Sequence, residues 1–373
     1  MIYRPGSLNG FIAVLCLLIS PFAFSGERWQ SARQMEEAAN AFIATLDGEQ
    51  RKTAAFPIDD SGRTTWSNLP VIMVRPGGLL IADMNDKQRI AVHDLLRASM
   101  SSQGYAKFAG IMRLEDQAHL DEMAQLMEAS DPDPFRLAFA KAYDSLNYAV
   151  SIFGEPGSQN WGWKIAGHHA ASNFTVSKGR VGFTPTFLGS NPMLVKSGKY
   201  AGWMSLPQEG ARGLELMLSL DKKQQEAALV ADEKPGDVIE GPGRRASLSG
   251  YEGLKASELS KEQLRLLRVL VSEYVHNADF DTADAQMALI EQAGWNELWF
   301  SWRGPIDPKG RFYYRVHGPR ILIEYIRQNE NHDHTIVRDP KNDYGEDWLG
   351  RHYEEHHPSM EEAMENARRA AER

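Results

Sequence analysis

Apolar positions recur at helical spacing from Ser31 to Leu46. They do so again in two stretches from Asn85 to Ala129, with Ile90, Leu95, Leu96 and Met100 in the first and Ile111, Leu114, Ala118 and Met123 in the second. Asn85 followed by Gln88 predicts an N-cap closing the start of the first stretch. Phe56 to Leu80 reads as short extended pieces, broken by Asn68, Pro70 and Pro76-Gly77-Gly78. Aromatic and β-branched residues dominate from Asp144 to Leu188, with turn signals at Gly154-Glu155-Pro156-Gly157, Gly167 and Lys178-Gly179, which predicts several strands. Helical spacing returns over Pro207 to Leu220, Lys222 to Ala231 and Ser260 to Ala293, and strand patterning over Leu298 to Val337. Helices and strands come in blocks, without the regular strand-helix repeat of a doubly wound sheet. The expectation is an α+β fold, a mixed, antiparallel-rich sheet packed with helices in one large domain over residues 26–355. The Gly/Pro-rich segment Lys234 to Gly250 is expected to be a mobile loop or boundary, and residues 356–373 a charged helical tail.

The first 25 residues follow a different pattern. Arg4 precedes the apolar run Phe11 to Ile19, then Pro21 and the small-residue end Ala23-Phe24-Ser25, the order of a secretory signal peptide. The run is shorter than the roughly 20 apolar residues a bilayer span needs. Cleavage near Ser25-Gly26 and a periplasmic or secreted, soluble product are therefore expected, with no stable membrane anchor afterwards. Cys16, the chain's single cysteine, lies inside this run without the preceding small residue of a lipoprotein signal. The mature chain has neither disulfides nor thiolate metal ligands, so stability has to come from a packed core. The full chain carries 41 basic and 50 acidic side chains; losing Arg4 leaves 40 against 50, a balance of −10. That excess of negative charge argues against nucleic acid or an anionic membrane surface as partner and leaves a small-molecule or peptide substrate.

The second strand block carries most of the candidate chemistry. In Phe312 to Tyr325, Gly318-Pro319 predicts a turn, and strand alternation puts Phe312, Tyr314, Val316, Ile321, Ile323 and Tyr325 on one face. Tyr313, Arg315, His317, Arg320, Leu322 and Glu324 fall on the other, with Tyr313 expected opposite Glu324. Further on, His332 and His334 share one side of an extended segment, presenting two imidazoles to one point as a transition metal requires. In Trp161 to Ala170, Gly167 permits a close backbone approach, and His168 and His169 point to opposite faces if the strand continues, so that one of them reaches a shared site. Glu209 opens a helix at Leu206-Pro207-Gln208, while Glu273 with His276 and His352 with His356 each stand one helical turn apart. A nucleophile elbow, a phosphate loop, a dinucleotide fingerprint and a His-Glu-x-x-His helix are all missing from the sequence, which takes support from the familiar hydrolase, kinase and dehydrogenase readings.

Several of these segments, in this order, resemble a bacterial family catalogued as domain of unknown function number 3500. They are Trp66-Ser67-Asn68-Leu69-Pro70, Gly167-His168-His169, Ala201 to Glu209, Trp302-Arg303-Gly304-Pro305, Tyr313 to Pro319 with Ile323-Glu324, and His332-Asp333-His334 followed by Arg338-Asp339 and Asp343-Tyr344-Gly345. The resemblance spans about Gln34 to Tyr353; it implies one integrated domain and gives weight to the histidine segments, but implies no reaction. The expectation is that one of His168 and His169 joins His317, Glu324, His332 and His334 around zinc or non-haem iron, with Glu209 or Arg315 nearby as acid/base or anion-binding group. Hydrolysis is preferred to oxygenation. The rival from another class is a non-catalytic exported binding protein whose tryptophans and tyrosines line a pocket.

Overall fold

The structure is a computed structural model, and it describes residues 29–350 except 129–132 and 249. The signal segment, Cys16, His352, His356 and the charged tail lie outside the described residues. Nine α-helices are described: α1 (Gln30–Ala44), α2 (Gly48–Ala54), α3 (Asp86–Ser99), α4 (Ser102–Glu128), α5 (Pro134–Ala142), α6 (Glu209–Ser219), α7 (Lys222–Ala228), α8 (Lys261–Val275) and α9 (Phe280–Ala293). The first strands are β1 (Ala55–Phe56), β2 (Leu79–Leu80), β3 (Ala149–Phe153), β4 (Asn160–Gly167), β5 (Ala170–Ser177), β6 (Arg180–Gly182) and β7 (Thr186–Ser190). The later ones are β8 (Leu229–Ala231), β9 (Leu254–Lys255), β10 (Trp299–Arg303), β11 (Tyr313–Gly318), β12 (Ile321–Asn329) and β13 (His332–Arg338). All belong to one sheet in the order β1-β3-β4-β5-β7-β13-β12-β11-β10-β8, with β2, β6 and β9 added beside β3, β5 and β10. Only β1 with β3 and β8 with β10 run parallel. The fold is therefore α+β, as the blockwise patterning predicts. Among the described residues no helix is long and apolar enough to cross a membrane.

Local signals explain most element boundaries. Asn85 accepts the Gln88 N–H at 3.1 Å while the Gln88 side chain accepts the Asn85 N–H at 2.9 Å, so the predicted cap is a reciprocal capping box. The stripe behind it is displaced: Ile90 is exposed, and the buried face of α3 runs through Gln88, Val92, Leu95, Leu96 and Ser99. The β11–β12 hairpin keeps the two predicted faces. Phe312, Tyr314, Val316, Ile323 and Tyr325 enter the main core under the helices, while Tyr313 belongs to a smaller core on the opposite face with Trp66, Phe187, Ile326 and Ile336. Its register differs by two residues, because the turn is Pro319-Arg320 and Arg315, rather than Tyr313, stands opposite Glu324. A shift of two leaves every side chain on its face.

The segment 234–250 is neither a boundary nor untethered. It crosses the smaller core as a strap whose Val238 is fully buried. Glu324 accepts the backbone N–H groups of Ile239 and Glu240, and Arg338 donates from Nε to the Glu240 carbonyl at 2.8 Å. Strap, α4 and the central strands β5, β7 and β13 together place the histidines.

Candidate metal centre

His168 and His169 are the two central residues of the β4–β5 hairpin, where Gly167 pairs with Ala170. The strand does not continue through them, so the opposite-face expectation fails. His169 adopts φ 62°, a left-handed conformation that non-glycine residues adopt only at a cost of about 1 kcal/mol or more. That turn swings both rings to one side, with centroids 3.6 Å apart. Tyr148 lies under Gly167, where a Cβ would sit 2.6 Å from its ring, and its hydroxyl donates to the His168 carbonyl. The permitted close approach is thus used by an aromatic side chain that supports the turn.

Both imidazoles meet one carboxylate. Glu115, on α4 and 2% exposed, contacts His168 Nδ1 through Oε2 at 2.7 Å and His169 Nδ1 through Oε1 at 3.0 Å. Burial pushes the Glu115 carboxyl up, but the two imidazoles outweigh it and hold it below the ordinary range. An ionised carboxylate accepts only, so His169 Nδ1 carries the proton and its Nε2 presents a lone pair. On β13, His334 is oriented in the same way: its Nδ1 lies 2.8 Å from Asp237 of the strap, whose carboxyl His334 draws down against the effect of burial. The Gln328 side-chain amide sits 3.0 Å from the same nitrogen.

The free nitrogens converge. His332 Nε2 lies 3.0 Å from His169 Nε2 and 2.9 Å from His334 Nε2, and all three atoms fall within 4.8 Å of one another. Nitrogens bound tetrahedrally at about 2.0–2.1 Å from one ion stand about 3.3–3.4 Å apart, so an outward adjustment of a few tenths of an ångström fits the rings to zinc. Burial first, and then the neighbouring His168, pushes His169 down to about 3; burial and the rings of His169 and His334 push His332 down as well. These rings are held neutral, the state a metal requires. Gly189 makes room for them, since a Cβ there would stand 2.6 Å from His334 Cδ2 and 3.1 Å from His169 Cδ2. Glu115, His168 and His169 form a second group of potential ligands. Its distances are those of charge-assisted hydrogen bonds, so this group supports the first.

The other predicted site residues are placed elsewhere. Neither ligand group contains His317, Glu324, Glu209 or Arg315. His317 shares a sheet face with His334, but it stands near the hairpin turn with its ring against Tyr251. Glu324 is consumed by the strap N–H groups and by the Tyr313 hydroxyl at 3.0 Å. Arg315 pairs with Glu252 at 3.0 Å. Glu209 lies 2.7 Å from Lys107, which also holds Glu273 at 2.6 Å. The His276 ring turns back to the Ser272 carbonyl rather than joining Glu273. Strand alternation put Arg315, His317 and Glu324 on one face with His334, but proximity along that face depends on register and on the strap, which no local pattern encodes. Conversely, Glu115 and Asp237 escaped the sequence reading. The signal for Glu115 was a carboxylate one turn beyond Ile111 on an otherwise apolar helix stripe.

Comparison with known proteins adds the family and nothing nearer. No curated protein and no solved structure matches the chain. The profile of the family described as a protein of unknown function, DUF3500, matches residues 28–346, a span that contains the hairpin, the strap and the His-x-His strand. The chain belongs to that family.

Proposed function

We propose that His169, His332 and His334 hold a single divalent transition-metal ion, zinc or non-haem iron, in an enzyme that works outside the cytoplasm on a small-molecule or peptide substrate. One observation carries this reading. Glu115 and Asp237 fix the protons of His169 and His334 on Nδ1, so two Nε2 lone pairs are aimed at His332 Nε2, whose single hydrogen can satisfy only one of them. An ion accepts all three lone pairs. The donor set of three neutral imidazoles suits zinc, and iron less narrowly.

A metal with three protein ligands supplies Lewis acidity and lowers the pKa of a bound water toward neutrality, which favours hydrolysis. The chain's own groups do the rest. Glu115 holds the His169 ring and raises its basicity as a ligand, and Asp237 does so for His334. His168, half-buried and stacked on Tyr143 at 5.3 Å between ring centres, closes one side of the site. His332 is the most accessible of the three ligands and marks the open side.

The test is metal content. The full-length protein, purified without chelator, should contain close to one transition-metal ion per chain by elemental analysis, and H332A/H334A should contain almost none. A folded wild-type protein that neither retains nor takes up zinc, iron, manganese or copper would leave the histidines as hydrogen-bonding groups and favour the non-catalytic binding protein.

A further inference from the structure

A second pocket lies between the strap and the sheet. Its volume is about 180 Å3, and Leu248, Leu322 and Pro340 form its apolar wall. It is separate from His169, His332 and His334: His334 pairs with Ile326, and Leu322 is four residues back along β12, about 13 Å at the strand rise of about 3.3 Å per residue. Between the two stands Glu324 with its grip on the strap.

The polar lining is unbalanced in a specific way. Its acceptors are consumed: Glu240 takes the N–H groups of Ala246 at 2.7 Å and Leu248 at 2.9 Å, and Asp343 takes Arg338 Nη1 at 2.6 Å and the Asp339 N–H at 3.1 Å. One polar atom of the lining remains unused: His317 presents a buried Nδ1 with no hydrogen-bond partner among the described residues, a ring nitrogen that can carry the imidazole proton toward a ligand. Arg315 Nε, two residues back on the same face but outside the lining, also has no partner among the described residues. Arg245 closes the rim, its side chain 38% exposed and paired outward with Glu346. A pocket with an apolar wall, occupied carboxylates, one unsatisfied imidazole nitrogen and a guanidinium at its rim suits an anion with a hydrocarbon body. For scale, a protein cavity of about 150 Å3 lined by apolar side chains takes up benzene.

We infer that this cavity binds a small carboxylic acid about the size of one substituted ring, with its carboxylate on the His317 Nδ1–H and the Arg245 side chain and its apolar body against Leu248, Leu322 and Pro340. The site is independent of the metal reading. Sodium benzoate is the probe, titrated calorimetrically into the full-length protein, with benzamide as the uncharged isostere. Saturable binding at one site per chain is expected, at least ten-fold weaker for benzamide and at least ten-fold weaker in H317L, and unchanged in H332A/H334A. In the wild-type protein the His317 ring nitrogens should shift with the same saturation curve in 15N spectra, which serves should H317L fold poorly. The inference is overturned by absence of saturable binding at millimolar benzoate, by equal binding of benzamide, by an unshifted His317, or by loss of binding in H332A/H334A.

Discussion

Glu115→Gln is the most informative single change, because it alters one proton and almost no volume. The wild-type carboxylate accepts from His168 Nδ1 at 2.7 Å and from His169 Nδ1 at 3.0 Å. A glutamine offers one acceptor and one donor, so one of the two imidazoles must move its proton to Nε2. If that ring is His169, its lone pair toward His332 disappears; if it is His168, His169 keeps its tautomer but loses the charge behind it. Substitution of such a supporting group costs about 10- to 100-fold in metal affinity, or about 1.4–2.7 kcal/mol. Removal of the buried charge also removes two charge-assisted hydrogen bonds, each contributing about 1.5–3 kcal/mol, set against relief of the desolvation that opposes the ionised carboxyl. Metal affinity should therefore fall by at least ten-fold while the melting temperature of the metal-free protein falls only modestly. Competition with a chromophoric chelator measures the first quantity and calorimetry the second. D237N should show a smaller loss, since Asp237 is 31% exposed against 2% for Glu115. An E115Q protein that is folded and binds zinc within three-fold of wild type would refute the tautomer argument.

Gly189→Ala should displace His334 and His169, because the added carbon would stand 2.6 Å from the first ring; metal content should drop more than the melting temperature does, and equal metal occupancy would show that the rings have room. His169, depressed to about 3 in the folded protein, titrates near 6.5 when unfolded, so its contribution to stability is complete above about pH 6.5 and is lost as pH falls from there toward 3. Urea midpoints of the metal-free protein should fall across that window, and H169N should flatten the slope; parallel curves for the two proteins would contradict the assignment. Glu324→Ala leaves two buried N–H groups of the strap without their acceptor, at about 1–3 kcal/mol each, and should open residues 234–250 to proteolysis; unchanged cleavage would mean that the strap is held by its apolar contacts alone.

Alternation along β11, β12 and β13 made the fold class and the faces of the central strands legible, because period-two patterning survives any even shift of register, including the one found here. The His-x-His pair was legible for the same reason. The left-handed turn at His169 was not: nothing in Gly167-His168-His169-Ala170 announces a two-residue hairpin with a histidine at positive φ. Extending the strand through it sent two neighbours to opposite faces and hid that both serve one carboxylate. Glu115 and Asp237 were out of reach for a different reason, since each lies more than fifty residues from the histidine it orients. His317 and Glu324 show the converse. Sharing a face with His334 placed them on the right surface, yet His317 stands four positions along the sheet, beyond the reach of a common ion, and Glu324, only two positions away, is taken up by the strap.

The contact between His169 and His332 joins points 163 residues apart in the chain. An ion held there would cinch the early strands to the late ones, subtracting from the freedom of the unfolded polypeptide a loop far longer than an ordinary surface turn, although the entropy involved grows only logarithmically with that length. Such a clasp comes last in assembly, because β5, β7 and β13 must already lie side by side before its three prongs meet. Loss of the ion should loosen the seam among these strands first, and amide exchange along β7 and β13 is where the slackening would be seen.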